Sequence, residues 1–263
     1  MSTELLDRVM VITGASSGIG AATALHCARA GMHVVLTARR RDRLDALAGQ
    51  VRALGREAEV LAGDAADPDL AERLLDAAER RFRRFDVVFA NAGYGIRRAA
   101  HETSMPELRA IFEVNFFAAC DLLRLAARRL LAAKRTGHLL MCSSCVAKFT
   151  LPECSAYSAT KAAQNHVCRA MRMELRRFGI EVSSVLPVRT ATEFFEAAAE
   201  RSGLARPAAV SGPMTQSADV VARAVVRCLR RPVPEVWTSF SARFGASLMT
   251  LFPRFMDFVA RRV

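Results

Sequence analysis

Short apolar runs alternate with longer amphipathic segments along most of the chain. Several of the runs are rich in Val, Leu and Ile, with little polar alternation, which indicates strands that are buried on both faces. The longer segments place apolar residues three or four positions apart, as amphipathic helices do. Strands are predicted at 9–13, 33–37, 58–61, 87–90, 139–142, 182–186 and 235–238. Helices are predicted at 19–30, 41–54, 68–81, 106–133, 157–178 and 218–229.

This alternation predicts an α/β protein whose parallel strands are joined by right-handed helical crossovers. We therefore expect a Rossmann-type, doubly wound parallel sheet of about seven strands, with helices on both faces. A chain of 263 residues fits one such domain, spanning residues 1–263. Two helix starts carry capping signals, namely Asp67 before Pro68 and a capping box from Ser104 to Glu107.

A glycine-rich turn follows the first predicted strand and leads directly into a helical pattern. Its sequence is Gly14-Ala15-Ser16-Ser17-Gly18-Ile19-Gly20, with the spacing G-x-x-x-G-x-G. Glycines at such a turn allow a tight bend, a close approach of the backbone to a pyrophosphate, and close packing of helix on strand. The N-terminus of the helix adds unpaired N–H groups and a partial positive charge. The order of strand, turn and helix therefore predicts a dinucleotide-phosphate site.

Tyr157 and Lys161 stand four positions apart in a predicted helix, and Ser144 lies thirteen residues before Tyr157. Residues at i and i+4 share a helix face, so the ammonium should lie beside the phenol. We expect that charge to lower the pKa of the phenol below its usual value of about 10. Such a phenol can exchange a proton with a carbonyl or alcohol oxygen near neutral pH, while the hydroxyl of Ser144 binds the same oxygen.

Taken together, the motifs resemble those of the short-chain dehydrogenases/reductases, in their single-domain subdivision. The resemblance extends from about Asp7 to Thr238 and keeps the family's motif order. It implies an NAD(P)-binding domain that interconverts a ketone or aldehyde and an alcohol by hydride transfer. The matching segments are Thr13-Gly14-Ala15-Ser16-Ser17-Gly18-Ile19-Gly20, Asn91-Ala92-Gly93, Val114-Asn115-Phe116, Ser143-Ser144 and Tyr157-Ser158-Ala159-Thr160-Lys161.

The resemblance implies four catalytic residues. Tyr157 is the expected proton donor and acceptor, and Ser144 is expected to hold and polarise the substrate oxygen, with Ser143 as its rival. Lys161 is expected to bind the hydroxyls of the nicotinamide ribose as well. In relatives, the residue matching Asn115 bends its helix and holds a water that links the lysine to solvent, so we expect Asn115 to serve a proton relay. An asparagine satisfied by backbone bonding is the alternative.

Cofactor contacts are expected near the carboxyl ends of the strands. The resemblance matches Asp64 to the family's contact with the adenine amino group, although a turn residue is the alternative interpretation. Asn91 either backs the adenosine ribose or is structural. The full set of expected contacts is Gly14, Ser16, Ser17, Gly18, Ile19, Gly20, Arg39, Arg40, Asp64, Asn91, Ala92, Gly93, Tyr157, Lys161, Thr190 and Thr192.

The end of the second strand predicts NADP(H) as the cofactor. An acidic residue there would bind the ribose hydroxyls of NAD and repel a 2′-phosphate. This chain has Thr37-Ala38-Arg39-Arg40-Arg41 instead, with no carboxylate. A guanidinium can bind a phosphate through two parallel hydrogen bonds. Arg39 is the expected main contact and Arg40 the secondary one, with a solvated arginine as the alternative.

The loop after the sixth strand departs from the family pattern, because Val188 follows Pro187 where relatives usually carry glycine. Valine does not tolerate the positive φ that glycine does, so the loop should follow a somewhat different path. Thr190, through its backbone, and Thr192, through its hydroxyl, remain the expected contacts to the nicotinamide end.

The substrate pocket is expected between residues 145–154, the segment Tyr94-Gly95-Ile96, and a lid formed by residues 188–214. The residues expected to touch substrate directly are Ser144 and Tyr157. Aromatic and aliphatic side chains such as Phe149 and Phe194 favour an apolar ketone or secondary alcohol over a small charged acid.

The net charge of +12 comes almost entirely from arginine, which is scattered through the predicted helices. We therefore expect solvated helix faces and no nucleic-acid partner. Seven cysteines, an odd number, and the lack of an apolar signal segment at the start favour a reducing, cytoplasmic location. No cysteine or histidine pattern predicts a metal site. The resemblance implies a homodimer or homotetramer that assembles through the helices at 106–133 and 157–178.

The tail at 239–263 is apolar but interrupted by Arg243, Pro253 and Arg254, and is too short to span a bilayer. Phe240, Phe244, Leu248 and Leu251 stand at helical spacing. It could pack on the domain or a partner copy, cover the substrate entrance, or make weak contact with a membrane surface.

Several alternatives to a soluble reductase remain from the sequence. The chain could be a non-catalytic, NADP(H)-binding regulator, or a basic nucleic-acid or membrane-surface protein on a retained Rossmann scaffold. Among enzymes, it could be a peripheral membrane-associated reductase of lipid-like substrates, or an epimerase or dehydratase that uses the same Tyr/Lys pair.

Overall fold

The computed structural model describes residues 4–204, 215–252 and 254. Within these residues, seven parallel strands form one sheet in the order β3-β2-β1-β4-β5-β6-β9, and two short strands pair as β7-β8. The strands are β1 (Val9–Thr13), β2 (His33–Thr37), β3 (Ala58–Val60), β4 (Val87–Ala90), β5 (Gly137–Cys142), β6 (Ile180–Leu186), β7 (Thr190–Ala191), β8 (Gln216–Ser217) and β9 (Glu235–Trp237). The predicted doubly wound parallel sheet of about seven strands is confirmed.

Helices cover both faces of this sheet. They are α1 (Gly18–Arg29), α2 (Arg41–Ala53), α3 (Leu70–Phe82), α4 (Met105–Phe112), α5 (Ala118–Ala132), α6 (Ser155–Leu175), α7 (Phe194–Arg201), α8 (Ala218–Arg230) and α9 (Phe240–Leu251). A π-helical turn (Glu113–Phe117) joins α4 to α5, and short 3-10 turns lie at Cys145–Ala147 and Arg176–Phe178.

Alternate residues of the central strands belong to two separate apolar layers, one on each face of the sheet. Met10 and Ile12 of β1 pack with α1, α2 and α8, whereas Val9 and Val11 pack with α3, α5 and α6. All four side chains are buried, because successive strand residues point to opposite faces and both faces carry helices. This two-sided burial explains why the strands lack polar alternation.

Most predicted element bounds agree with the structure to within one or two residues. The capping signal predicted for the start of α3, however, is wrong. The helix begins at Leu70 with Asp69 as its N-cap, so Pro68 is not its first residue. The carboxylate of Asp67 instead accepts a hydrogen bond from the amide of Asp69 at 3.1 Å, forming a turn ahead of the helix. The capping box at Ser104 and Glu107 is confirmed in both directions.

The predicted continuous helix at 106–133 is interrupted by the π-helical turn at Glu113–Phe117, which inserts one wider turn around Asn115. Two further helices lie in the lid and tail segments: α7 in the expected lid, and α9 in the tail, whose apolar residues from Phe240 to Leu251 stand at helical spacing. Residues 205–214 of the expected lid, and residue 253 and residues 255–263 of the expected tail, lie outside the described residues. None of the helices among the described residues combines the length and apolar character that crossing a bilayer requires.

Candidate active site

The glycine-rich turn leaves the first helical N–H groups open for a ligand. Helix α1 begins at Gly18, and its N-cap residue Ser17 makes no side-chain capping bond. The N–H groups of the first turn have no partner inside the helix, so they point outward together with the positive end of the helix dipole. The arrangement fits a dinucleotide pyrophosphate, as the sequence predicted.

At the end of this turn, position 20 has no room for a side chain. A Cβ atom at this position would lie 2.3 Å from the carbonyl oxygen of Gly14 and 2.8 Å from the amide nitrogen of Asn91. Both neighbours are fixed, because they belong to the turn and to the residue that braces it. The helix can therefore approach the strand this closely only with glycine at position 20.

Asn91 braces the turn, in agreement with its structural interpretation. Its Nδ2 donates to the carbonyl oxygens of Thr13 at 3.0 Å and Gly14 at 3.2 Å, and its backbone N–H donates to the hydroxyl of Thr13 at 2.9 Å. The next amide, of Ala92, donates to the same hydroxyl. These bonds tie the end of β4 to the end of β1 and hold this rim of the sheet in shape.

At the end of β2, Arg40 rather than Arg39 reaches the glycine-rich turn. Arg40 donates to the hydroxyls of Ser16 at 3.1 and 3.2 Å and of Ser17 at 2.9 Å. The side chain of Arg39 is exposed. The relative importance expected for the two arginines stays a prediction; the structure places the guanidinium of Arg40, and not that of Arg39, on the hydroxyls of the turn.

Asp64 is exposed, and its carboxylate accepts a hydrogen bond from the amide of Ala66 at 3.0 Å. This is the turn geometry of its alternative interpretation, and it leaves the second carboxylate oxygen available. A cleft of about 360 Å³ opens beside this segment, lined among others by Ala65, Ala92 and Val114. The cleft therefore lies where the adenine end of a dinucleotide was expected.

Tyr157 and Ser144 come together at the carboxyl end of β5. Tyr157 lies in the first turn of α6, half-buried, and the hydroxyl of Ser144 is near enough to its phenol to act on the pKa of Tyr157. The hydroxyl of Ser143 is buried and donates instead to the carbonyl oxygen of Lys161 at 2.9 Å. Ser143 is thus a structural residue, and the hydroxyl beside the phenol is that of Ser144.

The neighbouring ammonium of Lys161 does not bring the pKa of Tyr157 below its usual value in this structure. Burial raises the pKa of Tyr157 above its usual value, and the hydrogen bond with Ser144 opposes this only in part. The Nζ atom of Lys161 lies 5.5 Å from the centre of the Tyr157 ring and donates to the carbonyl oxygen of Cys142 at 2.7 Å. The expected pKa below the usual value is therefore wrong here, because desolvation of the phenolate outweighs any stabilisation by the ammonium, which donates to Cys142.

Lys161 is itself strongly affected by burial, which lowers its pKa to about 8. Its second acceptor is Oε1 of Gln164 at 3.1 Å, and Nε2 of Gln164 donates to the backbone carbonyl oxygen of Asn115. All three side chains are buried. Gln164 therefore stands between Lys161 and Asn115, where the resemblance implied a water molecule. An amide side chain can fix the ammonium in place, but it carries no readily exchanged acidic proton.

Asn115 sits inside the π-helical turn and is fully buried. Its Oδ1 accepts from the amide of Tyr94 at 2.9 Å, while Nδ2 donates to the carbonyl oxygen of Tyr94 at 2.9 Å and to the hydroxyl of Thr160 at 3.2 Å. The side chain thereby fixes the loop after β4 against α6. The wide turn opens the backbone carbonyl of Asn115 toward Gln164, which places both residues in one buried polar network.

The loop after β6 lies along the cofactor side of the site. Val188 is buried and has no positive φ, so the substitution for glycine produces no backbone strain. The hydroxyl of Thr190 donates to the carbonyl oxygen of Val188 at 2.8 Å, and β7 pairs with β8. Thr192 packs against Gly18, since its Cγ2 lies 2.9 Å from the position a Cβ of Gly18 would take.

The first turn of α7 covers the phenol. The ring centres of Phe194 and Tyr157 are 5.4 Å apart, and Phe194 also packs against Gly95. Arg201, at the end of α7, stacks on the ring of Tyr94 at 4.3 Å. These contacts bring the expected pocket segments together and make the environment of Tyr157 largely apolar.

Sequence reasoning missed Gln164 and Glu193. A signal for Gln164 was present, because it follows Lys161 by three positions and so shares its helix face. Glu193 had no local signal, since its partners Arg40 and Arg43 lie 153 and 150 residues away along the chain. Within the described part of the chain, no three His, Cys, Asp or Glu side chains are grouped in a way that could hold a metal ion.

Comparisons with known proteins agree with this geometry. A family model described as short chain dehydrogenase matches residues 8–203. The chain is 34% identical over 228 residues to 1-deoxy-11-beta-hydroxypentalenate dehydrogenase from Streptomyces exfoliatus, which covers 86% of this chain and 81% of that one.

Solved structures share the architecture. A short-chain dehydrogenase from Sphingobium yanoikuyae in complex with NADPH superposes with a TM-score of 0.79 at 28% identity, over 95% of both chains. A short chain dehydrogenase/reductase from Burkholderia phymatum in complex with NAD gives a TM-score of 0.85 over 97% of this chain and 96% of that one; at 24% identity it shows the fold alone. With its family match, its sheet and its Ser, Tyr and Lys side chains in one place, the chain belongs to the short-chain dehydrogenase family and is an oxidoreductase of that family.

Proposed function

We propose that this protein is an NADP(H)-dependent oxidoreductase that interconverts an apolar ketone or aldehyde and the corresponding alcohol. The observation that carries the proposal is the placement of Ser144 and Tyr157 beside the end of β5, under an aromatic cover and next to a helix N-terminus open for a dinucleotide. The name of the Streptomyces relative, a dehydrogenase of a hydroxylated compound, supports chemistry at an alcohol carbon.

In the reducing direction, the protonated phenol of Tyr157 is the proton donor. A phenol that keeps its proton through the neutral range is ready to donate it to a carbonyl oxygen that is gaining negative charge. The hydroxyl of Ser144 stabilises the same oxygen by a hydrogen bond. A nicotinamide cofactor held at the glycine-rich turn and beside Tyr157 would supply the hydride for the carbonyl carbon. Lys161, held close by, stabilises the phenolate that forms.

The preference for NADP(H) rests on the charge at the end of β2. Arg40 lies on the hydroxyls of Ser16 and Ser17, and residues 37–41 offer no carboxylate to bind the ribose hydroxyls of NAD. The NADPH complex of the Sphingobium relative is consistent with this choice.

Oligomerisation through α5 and α6 is part of the same proposal, supported by the exposed side chains of Phe117, just before α5, and of Met173 in α6. All seven cysteines are free thiols, which supports a reducing, cytoplasmic location.

Helix α9 favours a second candidate, a reductase that works at a membrane surface on lipid-like substrates. Phe240 is 83% exposed and Phe244 is 64% exposed, and the exposed Arg243 lies between them in sequence. The hydroxyl of Thr250 donates to the carbonyl oxygen of Lys148, so the helix adjoins the segment that frames the pocket. An apolar, basic helix beside the pocket suits contact with anionic lipid.

The test of the main proposal is an NADPH-oxidation screen across apolar ketones and aldehydes, repeated with NADH. Replacing Tyr157 by Phe removes the proton donor and keeps the aromatic packing on Phe194. We expect kcat/KM to fall by about 100- to 10,000-fold in this variant, as the loss of a general acid predicts. Turnover that persists at the parent rate would refute the assignment of Tyr157. A matched Tyr94→Phe variant controls for the loss of a phenolic hydroxyl elsewhere in the pocket wall.

A further inference from the structure

Glu193, just before α7, is joined by ion pairs to Arg40, which follows β2, and to Arg43 in the first turn of α2. Its Oε2 accepts a hydrogen bond from Arg40 at 2.7 Å, and its Oε1 accepts one from Arg43. These two guanidinium groups hold the pKa of Glu193 below its usual value. The carboxylate is therefore ionised at neutral pH and shared between two cations.

The contacts of Arg40 place this ion pair at the edge of the glycine-rich turn. The same guanidinium that binds Glu193 also donates to the hydroxyls of Ser16 and Ser17. A group that sits on the turn and carries a positive charge is what a ribose 2′-phosphate requires. In this structure that positive charge is already satisfied by an anion from the chain itself.

The neighbours of Glu193 fix it near the arginines. Thr192 packs on Gly18 of the turn, and the ring of Phe194 packs on Tyr157. The amide of Phe194 donates to the hydroxyl of Thr192 at 3.4 Å, which forms the start of α7. The residues on either side of Glu193 thus contact the glycine-rich turn and the phenol of Tyr157. These contacts fix the backbone at Glu193, so its carboxylate stays close to Arg40 and Arg43.

We propose that Glu193 is an internal competitor of the cofactor's 2′-phosphate for Arg40 and Arg43, and so a residue that sets the affinity for NADP(H). This inference rests on the proposed NADP(H) preference. Two anions cannot share the same pair of guanidinium groups without repulsion, so a 2′-phosphate must displace the carboxylate. The displacement offsets part of the phosphate's binding free energy and releases the first turn of α7 from the adenosine side.

The test uses adenosine 2′,5′-bisphosphate and adenosine 5′-monophosphate, which carry the adenosine end of the two cofactors without any nicotinamide. Their binding is measured by isothermal titration calorimetry at low ionic strength. Glu193→Gln keeps the size of the side chain and removes its charge. We expect it to raise the affinity for the bisphosphate by about five- to tenfold, the effect of two partly exposed ion pairs, and to leave the monophosphate within about twofold.

Glu196→Gln is the matched control, because Glu196 lies in the same helix, is exposed, and has no ion pair within the described residues. It should bind both nucleotides as the parent does. The gain in Glu193→Gln should also shrink as salt is added, since screening weakens the interaction between exposed charges.

The outcomes separate the inference from the function on which it rests. If the parent binds the bisphosphate more tightly than the monophosphate, and Glu193→Gln matches the parent or binds more weakly, competition by Glu193 is overturned while the NADP(H) preference stands. If neither protein prefers the bisphosphate, the NADP(H) preference fails and the inference fails with it. Thermal unfolding of each variant verifies that the nucleotide is offered to folded protein.

Discussion

At the residue scale, the site is governed by how burial treats a phenol and an ammonium placed close together. Burial raises the pKa of Tyr157 and lowers that of Lys161 to about 8, so each group is pushed toward its neutral form. Proton donation by Tyr157 leaves a phenolate that the charge of Lys161 stabilises. The rate of carbonyl reduction should consequently fall as the pH rises through the pKa of Lys161, because the lysine then loses its charge.

The partner of Lys161 allows this pH dependence to be shifted in either direction. In Gln164→Glu, a carboxylate 3.1 Å from the ammonium favours the charged lysine and should move the alkaline fall in kcat/KM upward by about one pH unit or more. In Gln164→Leu, the loss of the acceptor should move the fall downward. The measurement is the pH profile of kcat/KM for reduction, with unfolding curves beside it.

Gln164→Leu should also lower the free energy of unfolding by about 1–3 kcal/mol, because the buried carbonyl oxygen of Asn115 loses its donor. A purely structural Gln164 would show this loss of stability with the same alkaline midpoint in both variants, and that result would contradict its role in holding the Lys161 charge.

At the element scale, a glycine in a helix has opposite effects on stability depending on its surroundings, as Gly20 and Gly49 show. Gly20 lies in α1 with backbone atoms pressed against it, whereas Gly49 lies in α2 with no atom within 4 Å of its missing Cβ. At position 20, glycine permits α1 to approach the end of β1 closely. At position 49, it only lowers the stability of an exposed part of α2.

We therefore predict opposite effects of the same substitution. Gly20→Ala should lower the free energy of unfolding by about 1–3 kcal/mol through overpacking, and should weaken nucleotide binding because the turn must shift. Gly49→Ala should raise the free energy of unfolding by about 0.5–1 kcal/mol and leave binding unchanged. Chemical denaturation and nucleotide titration of both variants measure this. Equal stability of the two variants would contradict the close contact at Gly20.

The π-helical turn at Glu113–Phe117 is the element that sequence periodicity could not locate. A single π-helical turn is short compared with the helical segments on either side of it, so their periodicity predicts one unbroken helix. The poor helix propensity of Asn115 gave a warning of its position. Its geometry depends on Tyr94, Thr160 and Gln164, which lie in other elements.

At the scale of the whole molecule, an excess of positive charge is combined with an exposed apolar helix. The net charge is +12, and α9 places Phe240 and Phe244 in solvent on either side of Arg243. Scattered arginines attract any anionic surface, but only buried apolar side chains make such binding resistant to salt. The two contributions can therefore be separated.

We predict that the protein binds vesicles of phosphatidylglycerol and phosphatidylcholine, and that part of the binding survives added salt. The double variant Phe240→Ser/Phe244→Ser keeps the net charge and should reduce the salt-resistant partition by about tenfold or more, as the loss of apolar burial predicts. Cosedimentation measures the partition.

Leu54→Ser is the control for this experiment, because Leu54 is an exposed apolar residue flanked in sequence by Arg52 and Arg56. It should bind vesicles as the parent does. If the double variant instead loses an oligomer in sedimentation velocity while its vesicle binding is unchanged, α9 is an interface between copies of the chain and the membrane candidate is wrong.

The sequence by itself determined the architecture and the identity of the motif residues. Strands buried on both faces and amphipathic crossovers leave few ways to arrange the chain other than a parallel sheet with helices on each side. The glycine-rich turn could be predicted because the strand, the glycines and the helix follow one another directly in the sequence. The placement of Ser144 at the cofactor rim follows from the rule that the carboxyl ends of parallel strands share an edge. Tyr157 and Lys161 are neighbours because they stand four positions apart in one helix.

Only the tertiary structure decided the charges and partners inside the site. The pKa of Tyr157 depends on how deeply it is buried beneath Phe194, and the orientation of Lys161 depends on Cys142 and Gln164. The ion pair of Glu193 with Arg40 and Arg43 joins segments about 150 residues apart. Desolvation and long-range ion pairing are properties of distance in space, which a pattern along the chain does not contain.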